Sequence, residues 1–167
     1  MELLTLMMGI FGGFLFVMLA LVAVLYVISS LGFVKIFTKL GYANPWFGWI
    51  PVLNVFTLAT LVTSGLSKVK VFGLFELDVN IYRFLWVLSA IISRISGPVG
   101  KILAIAFAVI YYGDMFSRVY AATDNTSVEE QRAIGGVSGY ISIIFFLKAL
   151  ASDNNPIQIR YRADDVR

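Results

Sequence analysis

The sequence predicts an all-α, polytopic membrane protein of about five transmembrane helices joined by interfacial amphipathic segments. Three observations carry that prediction: 59% of the 167 residues are apolar, only 14% are charged, and an uncharged run extends from Leu3 to Val34. An ordinary soluble domain carries about 25% charged residues. A chain this short has too much surface for its volume to hide so much apolar area from water, so acyl chains must cover the remainder. The mean hydropathy of +0.87 agrees. No linker, like-charge block or repeat divides the chain, so residues 1–150 read as a single helical membrane domain and 151–167 as a polar C-terminal tail.

The chain contains neither histidine nor cysteine. That excludes an imidazole general base, the usual histidine metal sites, a thiolate nucleophile, iron–sulfur ligation and disulfides. The expectation is a non-enzymatic protein with no catalytic, cofactor-binding or metal-binding residues. A net charge of +3 and a pI near 9.2 suit anionic lipid headgroups better than nucleic acid.

The first element is the run Leu3–Val34, which as a helix would reach ~48 Å against a hydrocarbon layer of ~30 Å. It is read as a retained span, because Glu2 is the only charge before it and the run is about twice the length of a signal's apolar core. Lys35 and Lys39 then sit one helical turn apart, with Phe33, Ile36, Phe37 and Leu40 on the other face. Such a stretch belongs at the interface, its lysines reaching headgroups. Gly41 and Tyr42 end it, Asn44 is placed to cap the next helix, and Pro45 suits a first helical position. The second segment, Trp46–Val62, opens with Trp46 and Trp49 at the water boundary. Pro51 is expected to kink it, and Asn54 to satisfy a freed backbone group or bond a neighbouring helix.

The segment Lys39-Leu40-Gly41-Tyr42-Ala43-Asn44-Pro45-Trp46-Phe47-Gly48-Trp49-Ile50-Pro51-Val52-Leu53-Asn54 resembles the hallmark of an uncharacterised family of small bacterial polytopic membrane proteins. That pattern is a Gly/Pro-Trp start followed by Ile-Pro-x-x-Asn. Asp114-Met115-Phe116-Ser117-Arg118-Val119-Tyr120 is similar to the amphipathic stretch the family carries before its last helix. The resemblance covers residues 33–62 and 105–150 and implies a bacterial inner-membrane protein. Some relatives carry a signal-peptidase label, but this chain has no serine–lysine peptidase motif, so that activity does not transfer.

Residues 63–81 are the most polar internal stretch and read as a loop with a short interfacial element. Glu76 and Asp78 lie two apart, so on a helix they diverge, and a solvated loop explains them better than a catalytic pair. Ile81–Ser93 and Ile102–Phe116 follow as two short or tilted spans around the turn from Arg94 to Lys101; a re-entrant hairpin here would leave four full crossings. Tyr111, Tyr112 and Phe116 form an aromatic belt, and Asp114 and Arg118 an interfacial i, i+4 pair. Tyr112-Gly113-Asp114 superficially suggests an intramembrane aspartyl protease. That chemistry needs a second facing aspartate, which the spans do not offer.

Thr126 and Ser127, each followed three residues on by Glu129 or Glu130, mark the start of the last helix, with its apolar part from Ala133 to Leu150. Gly135 and Gly139, like Gly9 and Gly13 in the first helix, are spaced for close helix packing, within the chain or between copies. The tail from Asp153 to Arg167 is expected to be exposed, with a short extended piece at Ile157–Tyr161.

Five spans with the N-terminus outside place eight basic residues in the cytoplasm and five outside, which favours a cytoplasmic C-terminus. The expected role is an integral membrane scaffold or accessory subunit, partnered by the bilayer and by copies of itself or other membrane proteins. The alternative is a small pore or transporter component using the kinked second helix. Flux through proteoliposomes separates the two.

Overall fold

The computed structural model describes residues 2–159, the side chains of residues 3–6 excepted. It is mostly helical, at 73%, and contains two helices long and apolar enough to cross a bilayer, or three if one sharply bent pair counts as a span. The expected extended piece at Ile157–Tyr161 and the basic residues Arg160, Arg162 and Arg167 fall partly or wholly outside the described residues.

Helix α1 runs unbroken over Glu2–Lys39. From residue 7 to residue 27 every side chain is exposed, over a length of about 32 Å at 1.5 Å per residue. Burial begins at Ser30, and Phe33, Ile36 and Phe37 anchor the core. A 3₁₀ turn, Pro45–Trp49, then lies along α1, its Gly48 so close to Val34 and Phe33 that no side chain would fit there. Pro45 opens that turn as expected, but the Asn44 side chain caps nothing.

Helix α2 covers only Leu53–Val62. Pro51 therefore precedes the helix instead of kinking it, which corrects the sequence reading. The cause is Val52, whose φ of 76° and ψ of −55° turn the chain sharply between the 3₁₀ turn and α2.

The expected loop at 63–81 holds an antiparallel hairpin, β1 (Lys68–Val71) and β2 (Phe75–Asp78), paired from Lys68↔Asp78 to Val71↔Phe75. Val69 and Val71 point into the core while Lys68 and Lys70 stay outside. Phe72 and Gly73 take φ values of 49° and 75° at the tip, matching the right-handed twist of the strands. Asp78 caps the following α3 (Val79–Phe84) by accepting the Asn80 N–H at 2.8 Å.

Helix α4 (Trp86–Ile92) continues α3 with a small break and presents no buried residue. Gly97, at φ +82°, reverses the chain into α5 (Gly97–Phe107). A π-helical turn at Ala108–Tyr112 joins α5 to α6 (Gly113–Asp124), so that Gly97–Asp124 is one long helix. Asn125, left-handed at φ 54°, stops it.

Ser127 caps α7 (Val128–Tyr140), accepting the Glu130 N–H at 3.3 Å. The single final helix expected from Ala133 to Leu150 is in fact broken: α8 (Ile143–Ala151) leaves α7 at 118°. The core between α1, α6 and α8 is aromatic, with Phe116 and Phe145 stacked at 3.9 Å and Phe33 and Phe146 at 4.9 Å.

Candidate functional site

A mainly apolar groove of about 740 Å³ has walls that include Tyr26 of α1, Asn54 of α2, Tyr112, Tyr140 and Ser142. Three departures from regular helix meet around it. The π-helical turn contributes Ala108 and Tyr112, the break between α7 and α8 contributes Tyr140–Ile143, and Asn54 follows the Val52 turn. A π turn inserts one residue into the helix, and such turns concentrate at functional sites. A β-branched residue at positive φ is a genuine steric outlier, and such strain persists only where surrounding packing enforces it.

The Ile-Pro-x-x-Asn segment acquires a physical meaning here. The Asn54 N–H donates to Ile50 O at 3.0 Å across the proline, and Asn54 Oδ1 accepts the Val55 N–H at 2.7 Å. Among the described residues Asn54 Nδ2 donates to nothing. Beside it, the Tyr26 hydroxyl donates to Trp49 O and so ties the 3₁₀ turn to α1.

On the side of α6 away from the groove lies a buried charge pair. Asp114 is 0% exposed and Arg118 3%. Asp114 Oδ2 accepts from Arg118 Nε at 2.8 Å and from the Tyr82 hydroxyl at 2.8 Å, while Oδ1 accepts the Phe72 N–H at 2.7 Å. Arg118 Nη2 donates to Lys70 O at 3.2 Å. One carboxylate and one guanidinium thus hold the hairpin tip and α3 against α6. The spacing makes the expected i, i+4 ion pair, and the hairpin folds over it. The Tyr82 ring also meets Tyr111 edge-on at 5.3 Å.

The lysines read as headgroup contacts turn inward as well. Lys35 Nζ donates to Leu150 O at 2.8 Å and also to Ser152 O, closing the carboxyl end of α8. Lys39, 3% exposed, reaches Ser152 Oγ at 3.2 Å and Asp153 Oδ1 at 3.1 Å. The Lys39 bond and the Asn155 N–H hold the Asp153 carboxyl below its ordinary range. Trp46 and Trp49 are exposed at 56% and 38%. Gly135 and Gly139 lie directly against Ser117, Gly113 and Ala108, whereas Gly9 and Gly13 have no neighbour within 4 Å. The four glycines therefore do two different things, one pair seating α7 on α6 and the other standing open.

Sequence reasoning passed over Tyr82, Phe72 and the break at Ile141–Ser142. The one available signal was the Lys-Val-Lys-Val alternation ahead of Gly73, which marks a half-buried strand and a turn. Among the described residues no three acidic side chains gather where they could hold a metal. Comparison with family models, with curated proteins and with solved structures finds no match.

Proposed function

We propose that the protein is a multi-pass scaffold or accessory subunit of a bacterial inner membrane, offering α1 to other membrane helices, its own copies included. The observation that carries this reading is the stretch from residue 7 to residue 27, apolar and exposed throughout and tied to the rest of the chain near its end, where Tyr26 meets Trp49. Gly9 and Gly13 leave room there for a second helix to approach closely.

The path through the bilayer follows from which residues face each other. Lys39 and Asp124 share one cavity wall, Ile36 faces Val119 and Tyr120, and Val22 to Ser29 share the groove with Ala108 and Tyr112. Positions on the two long helices keep an offset of about 85 throughout, so α1 and the Gly97–Asp124 helix run parallel and end on the same side. Helices α3 and α4, about 21 Å long together, supply the return leg. Helices α7 and α8 go in and come back: Gln131 near the start of α7 and Lys148 near the end of α8 both bond Asp124, at 3.4 and 2.9 Å. That bent pair is re-entrant, which leaves fewer full crossings than five.

The basic residues sort accordingly. Arg94 and Lys101 lie on the side of the N-terminus, and Lys68, Lys70 and Lys148 on the side of Lys39. The surplus on the latter side makes it cytoplasmic, together with the tail.

Native mass spectrometry in mild detergent tests the scaffold reading. The expected result is an oligomer or a complex with another membrane protein, dissociated by Gly9→Leu together with Gly13→Leu. A monomer without protein partners, unchanged by those substitutions, would overturn it.

A second reading, a pore or transporter component, is favoured by one observation: the groove collects an unpaired amide donor and a helix break at membrane depth, as broken transporter helices do. Against it, α2 reaches only about 15 Å, half of the hydrocarbon layer. Solute flux in proteoliposomes that disappears in Asn54→Leu would decide for it.

A further inference from the structure

We infer that the turn between α4 and α5 is a headgroup anchor, with Arg94 and Lys101 binding anionic phospholipid in the leaflet opposite Lys39. This rests on the membrane path proposed above and goes beyond it by assigning that turn a ligand.

Four observations converge. First, the turn is built, not slack. Gly97 takes φ +82°, and Gly100 sits so tightly on the Ile95 carbonyl that any side chain there would collide with backbone. Second, the hairpin around it is apolar and unpartnered: Leu88, Ile91, Ile95, Val99, Ile102 and Ile105 are all exposed by 40–66%. Lipid is the solvent such a surface requires. Third, the depth is right. The helix from Gly97 to Asp124 is 28 residues long, or about 42 Å, against ~30 Å of hydrocarbon. With Asp124 level with Lys39 at one boundary, the turn lies in the opposite headgroup layer. Fourth, Arg94 and Lys101 are exposed and form no ion pair with any described residue, while no acidic side chain occurs between Asp78 and Asp114. Two cations without counter-charge, at the rim of an apolar finger, are complementary to phosphate and to little else at that depth. Each is worth about 1 kcal/mol near an anionic surface, so losing both weakens retention of an anionic lipid by roughly thirty-fold.

The chain has no native cysteine, which makes single-cysteine labelling unambiguous. In sealed vesicles, Ser96→Cys is expected to react with a membrane-impermeant maleimide from the side opposite Asn155→Cys. Separately, the full-length protein in nanodiscs of phosphatidylglycerol and phosphatidylcholine is expected to release phosphatidylglycerol more readily when Arg94→Gln and Lys101→Gln are combined. The control pair Lys68→Gln and Lys70→Gln, on the other side, keeps it. Labelling of both cysteines from one side would overturn the membrane path and the anchor with it. Opposite-side labelling with unchanged lipid retention would leave the path standing and refute the anchor alone. Equal loss from the control pair would also refute it, since the attraction would then be diffuse.

Discussion

Removing the Asp114 carboxylate should undock the hairpin and cost a large fraction of the protein's stability. In Asp114→Ala the Arg118 guanidinium, 3% exposed, loses its carboxylate at 2.8 Å, and the Tyr82 hydroxyl and Phe72 N–H lose their acceptor in the same step. Breaking a buried ion pair from one side costs about 3–5 kcal/mol, because the remaining charge has no solvent. The stranded hydroxyl and amide would add to this, each by about 1–3 kcal/mol if neither finds water. Arg118→Met in the same chain should recover part of the loss, since a pair removed together leaves no orphaned charge. The assay is reversible unfolding in mixed micelles, with hydrogen exchange read at residues 69–78. The expected pattern is lost protection in the hairpin for Asp114→Ala and partial restoration in the double variant. A single variant within about 1 kcal/mol of the parent, with the hairpin still protected, would refute the view that this carboxylate holds the hairpin down.

Three further outcomes follow from the geometry. Gly135→Val should separate α7 from α6, because a side chain there meets Ser117 and the Gly113 carbonyl, whereas Gly9→Val meets nothing; thermal unfolding in detergent should drop only for the former, by about 1–3 kcal/mol. Val52→Gly should stabilise the fold by about 1 kcal/mol or more, since glycine tolerates φ 76° without the strain a β-branched residue carries there; unchanged or lowered stability would mean that Val52 packing outweighs the strain. The clasp between Lys39 and Asp153 should be pH-sensitive. Its carboxyl is depressed in the folded state, so the stabilisation is complete above the ordinary carboxylate pKa of about 4 and is lost as pH falls through the depressed value. Protection of the Ile157 amide, which donates to Lys39 O at 2.9 Å, taken relative to the intrinsic exchange rate at each pH, should hold from pH 5 to 8, fall below that window, and lose its pH dependence in Asp153→Asn.

What could be read from the sequence was whatever composition and spacing determine locally. The long α1, the turn at Gly97, the Ser127 cap and the Asp114–Arg118 pairing all follow from runs, turn residues and i, i+4 geometry. What could not be read was where each face would turn. Lys35 and Lys39 look like headgroup lysines because an interfacial helix puts them on its wet side; they turn inward because α8 ends beside them with open carbonyls at Leu150 and Ser152. Asp114 and Arg118 look like a boundary pair until a hairpin from forty residues earlier covers them. Pro51 reads as a kink only if the helix is assumed to begin at Trp46, and the strained Val52 that moves that start has no sequence signature. The hairpin hid for a similar reason: its tip carries Phe-Gly, not the Asn-Gly that announces such turns.

The broken last helix shows how a strong hydrophobic pattern can mislead about the course of the chain. Residues 133–150 are apolar enough for one straight helix, and pattern alone would draw one. Instead, Gly135 and Gly139 press α7 against α6, and α7 ends at Tyr140, level with the π turn. From there Phe145 and Phe146 find their best partners in Phe116 and Phe33, back toward the end the chain came from. In lipid, apolar burial gives a helix no reason to prefer crossing over return, because acyl chains solvate it equally either way. Close packing and aromatic stacking then decide. Replacing both Phe145 and Phe146 by leucine should weaken the return and leave α7 in place; a cysteine at Asn155 that still labels only from its original side would show that Lys35, Lys39 and Asp124 suffice to hold α8 without the rings.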